Sequence, residues 1–163
     1  MFREMRRSKQ ILSKEDSEKV LARNTAGVLA VDGDDGYPYA VPLSYVYHDG
    51  KIYFHSAKVG HKIDAIAENN KVSFCVIDTD QIVPEEFTTY FRSVIAFGKA
   101  KVLEDPMEIR SALEVLAVKY SPEEKAGIAK TIDKEMPHVA MVEISIDHLS
   151  GKEAIEFVRE KQQ

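Results

Sequence analysis

The chain of 163 residues has a single cysteine, Cys75, so no disulfide can form within it. That thiol lies in the strand-like run KVSFCVI with no adjacent base or helix start to activate it, and a small buried hydrophobe is its expected role. Basic charge is also scarce. Lys and Arg number 22 against 27 Asp and Glu, a formal net charge of −5 that repels nucleic acid and anionic membranes. The one basic cluster is the start, MFREMRRSK, with Arg3, Arg6, Arg7 and Lys9. QILSKEDSEK follows it where a secretory signal would continue with an apolar run, so a cytoplasmic protein is expected. Internal repeats, low-complexity tracts, HExxH and paired-cysteine metal motifs, and a GxxxxGK[ST] phosphate loop are all missing.

What is present is an ordinary globular balance, 44% hydrophobic and 30% charged. Residues 1–163 are expected to form one domain, a size that buries roughly 70% of the surface of the unfolded chain. Ser13 opens the helical SKEDSEKVLARN with a capping hydroxyl and acids in the first turn, and turns Val20 and Leu21 inward. Strand patterns then take over. AGVLAV is followed by the turn DGDDG and by YPYAVPLSYVYH, where Tyr39, Val41, Leu43, Tyr45 and Tyr47 share one face at period two. Asp49-Gly50 signals a hairpin returning through KIYFHSA. HKIDAIAEN reads as a helix with Ile63, Ile66 and Ala67 inward, KVSFCVID as a strand, and TDQIVPEEF as a loop. TTYFRSVIAFGKAKVL is long for a strand, with Gly98 marking a bend or bulge. Asp105-Pro106 starts a helix with Ile109, Leu113, Leu116 and Ala117 inward, a further helix begins near Ser121, HVAMVEISI is a last strand, and SGKEAIEFVREKQQ ends as a short helix or tail. Six strands, mostly hairpin-linked, indicate an antiparallel barrel.

The chemistry-bearing stretch is YFHSAKVGHK. Its histidines, with His48, lack any third ligand at metal-binding spacing. A strand ending at Ser56-Ala57, then Gly60, then Lys62 in a helical first turn would aim free N–H groups and a cation at one anion, although a plain exposed turn has the same pattern. Pro42 places its strand at an edge or a bulge and leaves backbone groups of Val41, Leu43 and Ser44 free for a flat heteroaromatic, unless it only guards the edge against aggregation. Tyr39, Tyr45, Tyr47 and Tyr53 read as packing residues, and Glu85-Glu86 as a solvated loop. Ser56 and His55 point to opposite faces of their strand, so no hydrolytic triad is supported.

The blocks GYPYAVPL, YFHSAKVGHK and YFRSVIAFGKA, in this order and spacing, closely resemble the FMN-binding split-barrel superfamily of pyridoxamine 5′-phosphate oxidase-like proteins over about residues 5–155. Within it, nitroimidazole-resistance (Nim-type) proteins are the nearest in pattern. The resemblance implies a mainly β fold with helices, a six-stranded antiparallel Greek-key split barrel, forming a homodimer with FMN in two clefts between subunits. It places Val41, Pro42, Leu43 and Ser44 along the isoalloxazine, and His55, Ser56, Ala57 and Lys62 on the ribityl chain and phosphate with His61 assisting. Ser93 and Val94 fall near the cofactor or the dimer seam, and Ser150-Gly151-Lys152 matches the family's end. YAVPLSYVYH replaces the arginine-rich strand of true pyridoxamine phosphate oxidases, and FVREKQQ their basic substrate site. The implied function is thus a flavin-dependent oxidoreductase reducing small flat acceptors such as nitroaromatics. The alternative is a flavin or haem carrier of the same fold, with His48, His55 or His61 as an axial ligand.

Overall fold

A computed structural model describes residues 1–163. Helix α1 (Lys14–Arg23) starts as expected, with the Ser13 hydroxyl accepting from the Asp16 N–H, and Val20 and Leu21 are fully buried. The strands are β1 (Ala26–Asp32), β2 (Pro38–Ser44), β3 (Val46–His48), β4 (Lys51–Ala57), β5 (Lys71–Val83), β6 (Thr88–Val102) and β7 (Val139–Glu153). Helix α2 (His61–Glu68) links β4 to β5, α3 (Pro106–Tyr120) and α4 (Lys125–Glu135) lie between β6 and β7, and α5 (Ile155–Glu160) ends the chain.

All strands join one antiparallel sheet in the order β2-β1-β5-β6-β7-β4-β3, with seven strands where six were expected. The extra strand comes from a break in YPYAVPLSYVYH at Tyr45: β2 before it pairs with β1, and β3 after it pairs with β4. The hydrogen-bonded ladder is therefore not closed. Its two edge strands are nevertheless joined through Tyr45 alone, which obliges the sheet to curl until the edges meet there. With β2 and β3 taken together as one bent strand, β5 returns beside β1 in Greek-key order.

The curled sheet encloses a core around Leu29, Ile52, Phe54, Phe74, Val94 and Ile144, with Tyr39, Val41, Leu43 and Tyr47 packed against it from one face, as the period-two pattern predicts. A second core fills the space between the outer face of the sheet and α3 and α4, through Val46, Met141, Leu113, Leu116 and Ile132. The Asp49-Gly50 turn has positive φ at both residues, the geometry that lets two strands reverse without losing twist. The β6 register shifts between Phe97 and Gly98, where a Cβ on the glycine would stand 2.2 Å from the Ser145 carbonyl oxygen. No helix is long and apolar enough to cross a membrane.

Three expectations change. The TDQIV segment is strand, because β5 continues after a bulge at Asp78 to pair with the start of β6. Helix α2 buries Ala65 with Ile66 and leaves Ala67 exposed. The Ser150-Gly151-Lys152 segment lies in β7, paired with Ile95, Val94 and Ser93, and is not a tail.

Candidate functional site

The break at Tyr45 opens a gap in the barrel. The β3–β4 register sets Val46 opposite Tyr53, so an uninterrupted ladder would bring Ser44 opposite His55 and Pro42 opposite Ala57. Instead the Tyr45 N–H turns to the Thr25 carbonyl at 3.3 Å and to the Tyr120 hydroxyl at 3.0 Å. Its phenol donates to the Leu21 carbonyl at 2.6 Å, its ring meets Phe74 edge-on at 5.0 Å, and the Lys119 ammonium lies over it at 4.5 Å. Burial is the main cause that pushes the Tyr45 hydroxyl pKa well up, and the same effect lowers that of Lys119, which donates to the Asn24 carbonyl. Tyr45 is held from α1, the link between α1 and β1, and α3 at once, and β2 is thereby directed to β1 and away from β4.

Backbone alternation then decides what the gap offers. Tyr45 bonds Thr25, so Leu43 and Val41 are the next residues whose N–H and C=O face β1. Ala40, Pro42 and Ser44 face the gap. This corrects the expectation that Val41 and Leu43 carry free backbone groups: they are committed to Gly27 and Leu29, while their side chains pack on the core. Pro42 sits opposite Val28 with no register shift, because its missing N–H points outward. On β4, the two-residue turn makes His48 and Lys51 a hydrogen-bonded pair, and the same phase turns the backbone of His55 and Ala57 into the gap. The gap is a slot between two strand edges with unpaired donors and acceptors. Ser44 and His55 meet at one end, where both line a common cavity.

Helix α2 closes the other end. Gly60, at φ 137°, is its cap residue, in a region that side chains rarely adopt, and no side chain caps the helix. The Ile63 and Asp64 N–H groups donate to the Gly60 carbonyl, which leaves those of His61 and Lys62 without a helical partner, beside the half-exposed Lys62 side chain. His61 stacks on Tyr39 of β2 with ring centroids 4.1 Å apart, and its Nε2 lies 3.8 Å from Asp34. That stack ties the helix start to the far edge of the slot. Ser56 is half-buried and donates to the Ala57 carbonyl at 2.6 Å, on the opposite face from exposed His55. No group of three or more His, Cys, Asp or Glu side chains with metal-binding geometry occurs.

Thus Pro42, Ser44, His55 and Ala57 border the slot, with His61 and Lys62 at the start of α2 at its end, while Val41 and Leu43 are turned to β1 and the core. Ser93 and Val94 do not join them. They lie on β6, across the barrel, with Val94 fully buried in the core and Ser93 on the outer face beside Lys152, whose ammonium lies 5.5 Å from the Phe91 ring. Tyr45 and Tyr120, which create the slot, were legible only as a core tyrosine and a helix-end residue, since the sequence carries no sign of their bond across 75 positions.

A family model described as pyridoxamine 5′-phosphate oxidase matches residues 13–153. No curated protein matches the sequence. Among solved structures the chain is similar to an FAD-binding protein from Mesorhizobium loti, with 28% identity, coverage of 89% of this chain and 97% of that one, and a TM-score of 0.63. A candidate 5-nitroimidazole antibiotic resistance protein from Bacteroides thetaiotaomicron is 23% identical over 87% of this chain and 85% of its own, with a TM-score of 0.72. An FAD- and haem-binding protein from Mycobacterium smegmatis is 23% identical, covers 90% of this chain and 74% of its own, and has a TM-score of 0.76.

Proposed function

The chain belongs to the pyridoxamine 5′-phosphate oxidase family, and from that membership we propose that the slot binds FMN and that the protein is a flavin-dependent oxidoreductase acting on small flat acceptors such as nitroaromatics. The observation that carries this reading is the pairing of two unpartnered strand edges with an uncapped helix start and Lys62. A planar ring with imide donors and acceptors matches the backbone groups of Pro42, Ser44 and His55, and a phosphate matches the free N–H groups of α2 and the Lys62 ammonium. The donor set fits the cofactor. When bound and reduced, the flavin supplies two electrons and two protons, which take a nitro group to nitroso and water. The chain's own residues bind, orient and set the charge. Lys62 offsets the phosphate, the β2 edge holds the ring, and the Tyr39–His61 stack fixes the helix start against that edge.

A homodimer accompanies this reading. Ile77 (62% exposed), Ile82 (74%) and Ile95 (37%) stand on β5 and β6, far from the slot, and a second copy would cover them and bring Ser93 and Lys152 to its partner's cleft. Light scattering should then give twice the chain mass, and Ile95→Glu should return the monomer. The second reading, a flavin or haem carrier, draws on the likeness to the Mycobacterium smegmatis protein and on His55, exposed at the cavity wall. The absorption spectrum of the purified protein separates them. Flavin bands near-equimolar with protein support the oxidoreductase, and a Soret band in their place would sink it. If bound flavin, reduced anaerobically, reoxidises no faster with a nitroimidazole than in buffer, the carrier reading prevails.

A further inference from the structure

Beyond the end of the slot lies a cavity of about 330 Å³. Leu113, Leu116 and Ala117 of α3 and Ile132 of α4 form its apolar side, and Ser44 and His55 form the opposite wall. Thr131 and Glu135 of α4, both exposed, stand at its mouth. We propose that this cavity seats the electron acceptor, a neutral or cationic single-ring nitroaromatic, with its ring on the leucines and Ile132 and its nitro group toward Ser44 and His55. The inference rests on the flavin reading, because Ser44 and His55 belong both to the slot and to the cavity wall, so a ring held here adjoins whatever the slot holds.

Size, polarity and charge each narrow the occupant. The volume lies at the lower end of the roughly 300–1,000 Å³ typical of small-molecule sites, enough for one substituted ring. Apolar residues on the helical side favour a flat hydrophobic body. The polar groups at the other wall give such a body one orientation. The Glu135 carboxylate at the mouth disfavours anions and leaves neutral or cationic rings. Helices α3 and α4 thereby become the specificity elements of a site whose cofactor is held by strands and α2.

The test is a titration of the full-length protein with 2-methyl-5-nitroimidazole, following Leu and Ile methyl resonances, with and without FMN. Saturable shifts at Leu113, Leu116 and Ile132 are expected. Thr131→Trp, at an exposed helix position that leaves the core intact, should weaken binding at least tenfold by blocking the mouth, and Leu116→Trp should do the same from within. Anionic 4-nitrobenzoate should bind at least tenfold more weakly than nitrobenzene, with the gap narrowed by Glu135→Gln. Shifts confined to other residues, or unchanged affinity in Thr131→Trp, would overturn the proposal. FMN binding is measured separately by quenching of flavin fluorescence. If FMN binds and the cavity does not, the inference alone fails. If FMN does not bind at all, the flavin reading fails and takes the acceptor role of the cavity with it.

Discussion

The two sides of the barrel are built on opposite terms. Away from the slot, β5, β6 and β7 run 13, 15 and 15 residues in long ladders, each interrupted by one bulge, and charged side chains tie them together. Asp78, the extra residue of the β5 bulge, accepts from Arg23, Asn24 and Arg92; Arg92 also donates to buried Glu153, which pairs with Lys161. Burial pushes the Asp78 carboxyl up, but the bonds from Arg23, Asn24 and Arg92 together outweigh it and hold the group well below the usual carboxylate range. At the slot, by contrast, the ladder stops after three β3–β4 pairs and leaves backbone groups of Pro42, Ser44, His55 and Ala57 without strand partners. The difference teaches that binding capacity in this sheet arises where pairing ends. Where pairing is complete, polar side chains serve the fold.

Breaking the closed side should give the largest effect. Asp78→Asn is expected to cost about 3 kcal/mol in urea unfolding at pH 7, the lower end of the range for opening a buried ion pair because Arg23 is half exposed and Arg92 keeps Glu153, while the FMN affinity of the folded fraction holds. Because the folded carboxyl titrates below its reference value of 3.8, its contribution is complete above about pH 4 and fades as the pH falls toward the folded value. The gap between wild type and variant should therefore narrow on acidification below that point. A gap unchanged at lower pH would contradict the ion-pair account.

At the open side, Lys62→Ala should weaken FMN binding by about 1.5–3 kcal/mol, the range for a hydrogen bond to a charged group, with little change in Tm. Equal affinities would place the phosphate elsewhere. Tyr120→Phe probes the hinge that separates the two sides: losing the acceptor for the Tyr45 N–H should cost about 1–2 kcal/mol and speed hydrogen exchange at that amide. Retained protection would assign the break to Thr25 alone. The smallest effect is expected from His61→Ala, about 0.5–1.5 kcal/mol of stability for a lost aromatic stack. His61→Phe should restore it, since the ring on Tyr39 is what matters, and failure of that rescue would shift the role of His61 to its nitrogens.

Much of the frame is local and was readable. Ser13 and Asp105 cap their helices, Asp49-Gly50 turns its hairpin, Gly98 marks its bulge, and Tyr39 to Tyr47 share a face. The misread segments share a cause. TDQIV lacks an apolar alternation and is strand only because Thr88 to Arg92 pair with it, and Ser150 to Glu153 extend β7 only because β6 is there to receive them. In the site, YFHSAKVGHK announced its strand, glycine and helix start. Of Val41, Leu43 and Ser44, expected to carry free backbone groups, Ser44 does so together with Pro42, while Val41 and Leu43 bond across to β1, because the phase of an edge ladder depends on which residue bonds that strand. Ser93 and Val94, expected near the cofactor or the dimer seam, lie on β6, three ladders from β2 within one chain.

The sequence by itself determined the elements, since periodicity, capping and turn chemistry act within a few residues of one another. It also determined which residues offer a cation and free N–H groups, at Gly60 to Lys62. Only the tertiary structure decided where the barrel opens. That opening depends on Tyr45 reaching Leu21, Thr25 and Tyr120 in place of β4, and bonds between residues 20 to 75 positions apart leave no local periodicity to read.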